Sequence, residues 1–385
     1  MEILKVGIIG YGGRIAAIVQ LMRRFGIPFK VHAIADPKMD ELKARKDADL
    51  AETRFYGNAD DMLSHEKFSG IMIGTRCGLH AKMAIKASKA NVPIFLEKPV
   101  AITFAQVKKL HDAFKNFKKP TVVSFPLRLS PLVLTVKEMI NAGKIGELKC
   151  FNAFNDVPYG ACYFTTWQRD YGEIGGLWLQ KATHDLDYLT YIIGAKPRMI
   201  AAIKSQNVYG GKDKPFDLMC GQCGETEACI ESPFAMFYKR RVAEKTEGNW
   251  PCPYSKDIKN EDFGSALVEF ENGVQGSYTQ CFFVKNSAGR RGARLYGAKG
   301  TIEFDWYTGE VNLMYHHKSA VETVKFEGVD GHGGGDLELL LDFLRAMRDG
   351  KKSRADIHDG ILSALTCLWA RESSENHKFC EIKFK

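Results

Sequence analysis

Apolar and polar positions along the first third of the chain follow two alternating periods. Ile3 to Ile9 is a mostly apolar run with β-branched Ile3, Val6, Ile8 and Ile9, the pattern of a strand buried on both faces of a parallel sheet. After a glycine turn, Ile15, Ile18, Val19 and Met22 recur at helical spacing until Gly26 and Pro28 stop them. A second strand pattern, 30–35, ends on Asp36. Helical patterns near 39–52, 60–65, 80–90 and 104–117 then alternate with strand patterns at 70–75, 93–96 and 121–125. That alternation predicts a doubly wound parallel sheet over residues 1–125, a Rossmann domain with helices on both faces.

Beyond residue 125 the pattern changes. Helical spacing at 131–141 is followed by a strand to about 155 and a helix at 176–193. Strand patterns then crowd together at 200–206, 266–271, 274–283, 293–296, 301–306, 311–315 and 321–326, with Asn272-Gly273 a strong hairpin signal. Helices at 336–348 and 358–372 and a last strand at 378–384 complete the chain. Many strands with few helices between them predict an α+β second domain over 126–385, built on a largely antiparallel sheet. The stretch 207–253 has little periodicity and much Gly, Pro and Cys, and reads as a long insertion.

A chain of 385 residues is long enough for two cores, and 45% hydrophobic with 26% charged residues is ordinary for a soluble globular protein. The net charge of +8 is spread in small pieces such as Lys108-Lys109 and Lys351-Lys352, so it reads as a solvated surface and not as a nucleic-acid-binding face. No apolar run approaches the roughly 18 residues of a membrane span. A first strand starting at Ile3 leaves no room for a signal peptide, so a cytoplasmic location with reduced thiols is expected.

The turn Gly10-Tyr11-Gly12-Gly13-Arg14-Ile15 sits between strand and helix, where glycines let backbone N–H groups approach a pyrophosphate at a helix N-terminus. With Asp36 placed to accept hydrogen bonds from an adenosine ribose, the unit points to NAD; Lys38 and Arg14 leave NADP open. Ligands of such sheets lie beyond the strands' carboxyl ends, which puts Thr75 to His80 and Glu97-Lys98-Pro99 near any dinucleotide. Further on, Gly175-Gly176 introduces Gln180, Lys181, His184, Asp185 and Asp187; on a regular helix Gln180, Lys181 and His184 share one side. Solvated or paired lysines and a structural histidine are the bland alternatives.

Together these stretches resemble the Gfo/Idh/MocA oxidoreductases, the glucose-fructose oxidoreductase and inositol dehydrogenase family. The nucleotide turn, Thr75 with His80, Glu97-Lys98-Pro99, Gly143-Lys144-Ile145-Gly146 and the glycine pair followed by His184 and Asp187 occur in the family's order. The resemblance implies hydride transfer between NAD(P) and a hydroxyl of a sugar or cyclitol, with Lys98 and His184 catalytic and Trp167 lining the substrate pocket. It also implies a homo-oligomer, dimer or tetramer. Two departures stand out: Gln180 where many members carry an Asp, and Arg76-Cys77 where many have Pro-Asn. His184 is the expected acid/base, Lys98 and Lys181 the expected oxyanion stabilisers, and Arg128, near the domain joint, a further substrate or cofactor contact. A redox-neutral elimination with transient oxidation, and a nucleotide-binding regulator without turnover, remain as alternatives.

Within the insertion, Cys220, Cys223, Cys229 and Cys252 offer four thiolates, the first pair at metal-knuckle spacing. A structural zinc, an iron–sulfur cluster, reduced thiols and a disulfide are all compatible with that spacing. Gly331 to Asp336 precedes an apolar helix, with Asp336 a natural N-cap and His332 within reach of a substrate.

Overall fold

The computed structural model describes residues 3–45, 50–234, 249–327 and 330–384. Six parallel strands, β1 (Leu4–Ile9), β2 (Phe29–Ala35), β3 (Arg54–Tyr56), β4 (Gly70–Ile73), β5 (Ile94–Leu96) and β6 (Thr121–Val123), form a sheet in the order β3-β2-β1-β4-β5-β6. The strand order reverses between β1 and β4, so the crevice beyond their carboxyl ends is where a ligand of such a sheet binds. Register makes that edge a single row: Ile9 pairs with Ala35 and Ile73, and Ile73 with Leu96. Gly10, Asp36, Gly74 and Glu97 are therefore neighbours along it.

Nine further strands, β7 (Leu148–Asp156), β8 (Pro197–Ser205), β9 (Phe263–Phe270), β10 (Gln275–Cys281), β11 (Arg290–Gly297), β12 (Gly300–Asp305), β13 (Glu310–Tyr315), β14 (Val321–Lys325) and β15 (Cys380–Glu381), make the second sheet. Its order is β14-β13-β12-β11-β7-β10-β9-β8-β15, antiparallel except where β7 meets β10. The architecture is the expected Rossmann sheet with a largely antiparallel second sheet. Several local expectations fail. The short edge strand β3, half-exposed over three residues, carries no alternation to read. Of the helix expected over 39–52, Met39–Ala44 is formed and 46–49 lie outside the described residues, while the last strand shrinks to two residues.

The chain returns to its first sheet at its end. Val123 donates its backbone N–H to Ala355 O at 2.8 Å, and Phe343 on helix Gly335–Asp349 packs edge-on against Phe95 of β5. Gly360 is where helix Ile357–Asn376 crosses the sheet: a Cβ there would sit 2.7 Å from Val100. One contiguous apolar core consequently links both sheets.

The cysteine insertion is held by ordinary hydrogen bonds. Met219 bridges Pro251, Cys220 N–H donates to Trp250 O at 3.0 Å and Cys252 N–H to Leu218 O at 2.8 Å. Buried Glu231 takes a 2.8 Å ion pair from Lys285 and a hydrogen bond from Tyr209. Cys220, Cys223, Cys229 and Cys252 are free thiols, and among the described residues no group of His, Cys, Asp or Glu is arranged to hold a metal ion. The four thiols are neighbours, since Cys252, Cys229 and Cys223 add to the burial that pushes Cys220 up to about 11, but the zinc expectation finds no support among the described residues.

Candidate active site

The nucleotide turn has the shape an anion needs. Gly10 adopts φ +82°, and a Cβ there would lie 2.8 Å from Thr75 N, so only glycine lets β1 turn this close to β4. Past it the space opens, with nothing within 4 Å of a Cβ built on Gly13. Helix Gly13–Arg24 starts with no side-chain cap and no acidic residue in its first turn. Its N-terminal N–H groups and positive dipole end are thus left for a phosphate. Asp36 follows β2 directly, with its carboxylate held by Tyr11 N–H at 2.9 Å and Lys38 N–H at 2.8 Å, fixed in place for a ribose.

Several residues of this region face elsewhere. The Ile15 side chain is buried against Gly74, which accounts for the lost third glycine and leaves only its backbone for a cofactor. Arg14 reaches inward to Glu97 at 3.1 Å, to Ser124 at 3.2 Å and to Asp336, so it is not free to meet a 2′-phosphate. Lys38 pairs with Glu41 on the surface. The His80 ring lies between Pro99 O at 2.8 Å and Thr75 O at 3.0 Å and braces the two strand-end loops. Asp336 does not cap its helix as expected, since Arg14 and His332 occupy its carboxylate and Gly334 takes the N-cap position.

The chemistry gathers where the glycine pair feeds the helix of the second domain. Residues Trp178–Ala182 form a π-helical turn before helix Thr183–Ile193, a widened winding of the kind that concentrates at functional sites. It separates three side chains that a regular helix would align. Gln180 turns to Cys77, accepting from its Sγ at 3.2 Å; Lys181 turns to the Tyr159 hydroxyl at 2.5 Å; and the Gln180 carbonyl accepts from Lys98 Nζ at 2.7 Å. Lys98 thereby meets the second domain across the carboxyl edge of the first sheet.

Burial governs the ionisation here. It pushes the Lys98 ammonium down to about 8, with the like charges of Lys181 and Arg291 adding to the effect. Lys181 falls to about 7, first through burial and then through Arg291. His184 is held neutral, far below the ordinary histidine range, by burial and the surrounding cations; its Nδ1 is buried with no hydrogen-bond partner. Its ring packs edge-on to Phe125 and lies 6.0 Å from that of His332.

Asp185 and Asp187 divide sharply. Asp185 accepts from Arg291 Nε at 2.8 Å, Asn155 Nδ2 at 2.7 Å and the Tyr278 hydroxyl at 2.9 Å. Asp187 grips Arg128 through two hydrogen bonds, at 3.0 and 2.5 Å, while Arg128 also reaches Asp359 at 2.9 Å and Arg354 O at 2.9 Å. Arg128 is only 4% exposed and fully engaged, so the expectation of a substrate contact is corrected to an internal cross-link. Trp167 lies half-exposed with the Arg76 guanidinium 3.9 Å above its ring.

A cavity of about 530 Å³ opens beside these groups, lined among others by Tyr159, Arg291, Trp306, Tyr307 and His332. Its size and its mixture of aromatic and polar walls are those of a small-ligand site. Arg291 and Tyr159 are absent from the sequence-derived candidates. Arg291 had a signal: it shares the inward phase of β11 with buried Ala293 and Leu295, where a charged residue requires a reason.

Residues 4–125 match a family model described as an oxidoreductase family with an NAD-binding Rossmann fold, and 137–383 match the same family's C-terminal alpha/beta domain. Among similar proteins, a putative oxidoreductase, YteT, of Bacillus subtilis is 28% identical over 368 residues, 84% of either chain. A myo-inositol 2-dehydrogenase of Thermotoga maritima is 22% identical over 341 residues, 88% of this chain and 94% of that one. Among solved structures, a levoglucosan dehydrogenase in complex with NADH and levoglucosan superposes with a TM-score of 0.78 at 20% identity, covering 99% of this chain and 100% of that one.

Proposed function

The chain belongs to the Gfo/Idh/MocA oxidoreductase family, and on that premise we propose that it moves a hydride between NAD and a hydroxyl or keto carbon of a sugar, cyclitol or sugar derivative. The observation that carries this reading is the convergence of Lys98, Lys181 and neutral His184, from two domains, beside a cavity with aromatic walls. Relatives named as myo-inositol and levoglucosan dehydrogenases support the substrate class.

The residues present suit the cofactor. The open turn at Gly12 and Gly13 and the helix behind it would hold the pyrophosphate, Asp36 the adenosine ribose, with Thr75 and Glu97 at the same edge. When bound, the nicotinamide supplies the hydride acceptor or donor. The protein's task is then the hydroxyl proton and the charge left behind. We place proton transfer at Lys98 Nζ: a base near 8 exchanges a proton readily at neutral pH, whereas His184 is too weak a base when its charged form is so disfavoured. His184 accepts a hydrogen bond from the reacting hydroxyl and orients it. Lys181, lowered to about 7, is itself largely neutral where Lys98 acts as base, so the standing positive charge for the developing alkoxide comes from Arg291.

Two outcomes follow. In alcohol oxidation Lys98 must be deprotonated, so kcat/KM rises with pH by about tenfold per unit below about 8 and then levels. Carbonyl reduction needs the protonated lysine and falls through the same region. A pH–rate profile flat from 6 to 9 in both directions would remove Lys98 from the proton path. Second, Asp36→Ala lowers kcat/KM for NAD by about 30-fold and for NADP by much less, because the lost carboxylate favours a ribose hydroxyl and repels a phosphate. Equal losses with the two cofactors would mean that Asp36 only holds the turn.

A further inference from the structure

The cavity wall offers more hydrogen-bond donor capacity than alcohol oxidation requires. Asp185 is saturated: one oxygen takes Arg291 Nε, the other Asn155 and Tyr278. Asp187 is taken by Arg128, and Glu97 and Asp336 by Arg14. Lys181, 4% exposed, has a neutral partner in the Tyr159 hydroxyl, and Lys98 another in the Gln180 carbonyl. Arg291 is 7% exposed and lines the cavity, yet its Nη2 is buried with no hydrogen-bond partner. A buried guanidinium nitrogen with an empty donor position at the cavity wall is a costly arrangement. An incoming anion relieves it. The matching set has two donors on the cavity wall, Arg291 Nη2 and the Tyr159 hydroxyl, whose oxygen accepts from Lys181 Nζ behind it.

We propose that the cavity takes an acidic sugar, a uronate or aldonate, with its carboxylate held by Arg291 and the Tyr159 hydroxyl, which Lys181 backs, and its ring against Trp306 and Tyr307. The inference rests on the dehydrogenase reading for the sugar and adds the acid group. Two donors fit the two oxygens of a carboxylate, whereas a phosphate ester would leave terminal oxygens unpaired.

The test is calorimetric titration of the NADH-loaded protein with matched pairs, glucuronate with glucose and galacturonate with galactose, plus glucose 6-phosphate. Cofactor reduction by each sugar in the presence of NAD is followed alongside. At least one acid binds about 30-fold more tightly than its neutral partner and more tightly than the phosphate ester, the worth of one or two charge-assisted hydrogen bonds. Lys181→Met lowers that acid-over-neutral ratio about tenfold. Arg291→Lys, which keeps a counter-ion for Asp185, lowers it likewise even where its stability drops, since the ratio compares two ligands on one protein. No preference for any acid, a better phosphate ester, or a ratio untouched in both variants overturns the proposal. Oxidation of neutral sugars without acid preference would sink this inference and leave the dehydrogenase standing. Tight acid binding without hydride transfer would do the reverse.

Discussion

Lys98→Met lowers kcat/KM by about 10³-fold, some 4 kcal/mol of transition-state stabilisation, while NADH affinity stays within about threefold. Methionine keeps the length and apolar stem of the side chain but removes the proton-carrying nitrogen that bonds the Gln180 carbonyl. The pH dependence attributed to this group disappears in the variant, which separates lost proton transfer from a displaced loop. Steady-state rates at 340 nm and NADH fluorescence titration measure both halves. A loss below about tenfold, or an equal loss of NADH affinity, would make Lys98 a structural residue.

Arg128→Met destabilises the fold by about 3–5 kcal/mol, because the buried Asp187 carboxyl, already pushed up to about 7 by burial, loses its partner and must take up a proton or remain an unpaired charge. In thermal denaturation the melting temperature falls by roughly 4–6 °C. The double variant Arg128→Met with Asp187→Leu recovers most of the loss, since replacing both partners removes the orphaned charge. The same ion-pair cluster ties helix Thr183–Ile193, which carries His184, to Asp359 on the long C-terminal helix. If Arg128→Met melted with the parent protein and lost only substrate affinity, Arg128 would be a substrate contact after all.

What the sequence revealed depended on whether the cause was local. Strand β1, the glycine turn and Asp36 were legible because a buried parallel strand, a positive φ at Gly10 and a ribose-facing acid each leave a residue-level mark. Lys98 was legible as a strand-end residue. The winding at Trp178–Ala182 was not: its residues read equally well as α-helix, and it decides that Lys181 turns to Tyr159 while Gln180 turns to Cys77. Arg291 was hidden by a boundary, since a strand begun at Ala293 leaves it in a loop, whereas β11 starts at Arg290 and aims Arg291 inward. Arg128 misled because an arginine at a domain joint looks available, and only the fold brings Asp187 and Asp359 to it.

Lysine electrostatics show the same limit. Proximity of Lys98 and Lys181 suggests mutual repulsion as the cause of their lowered values, yet burial is the larger cause for both. Burial is a property of the closed fold, and no spacing in the chain announces it.

Net hydride transfer is the central claim, and absorbance at 340 nm tests it directly. The protein is supplied with NAD and a panel of neutral and acidic sugars, inositols and aryl glycosides, with leaving-group release recorded in parallel. Sustained growth of reduced cofactor with one sugar or cyclitol class, lost in Lys98→Met, is the predicted result. Release of the aryl group over a flat absorbance trace would contradict it and assign the same residues to a redox-neutral elimination.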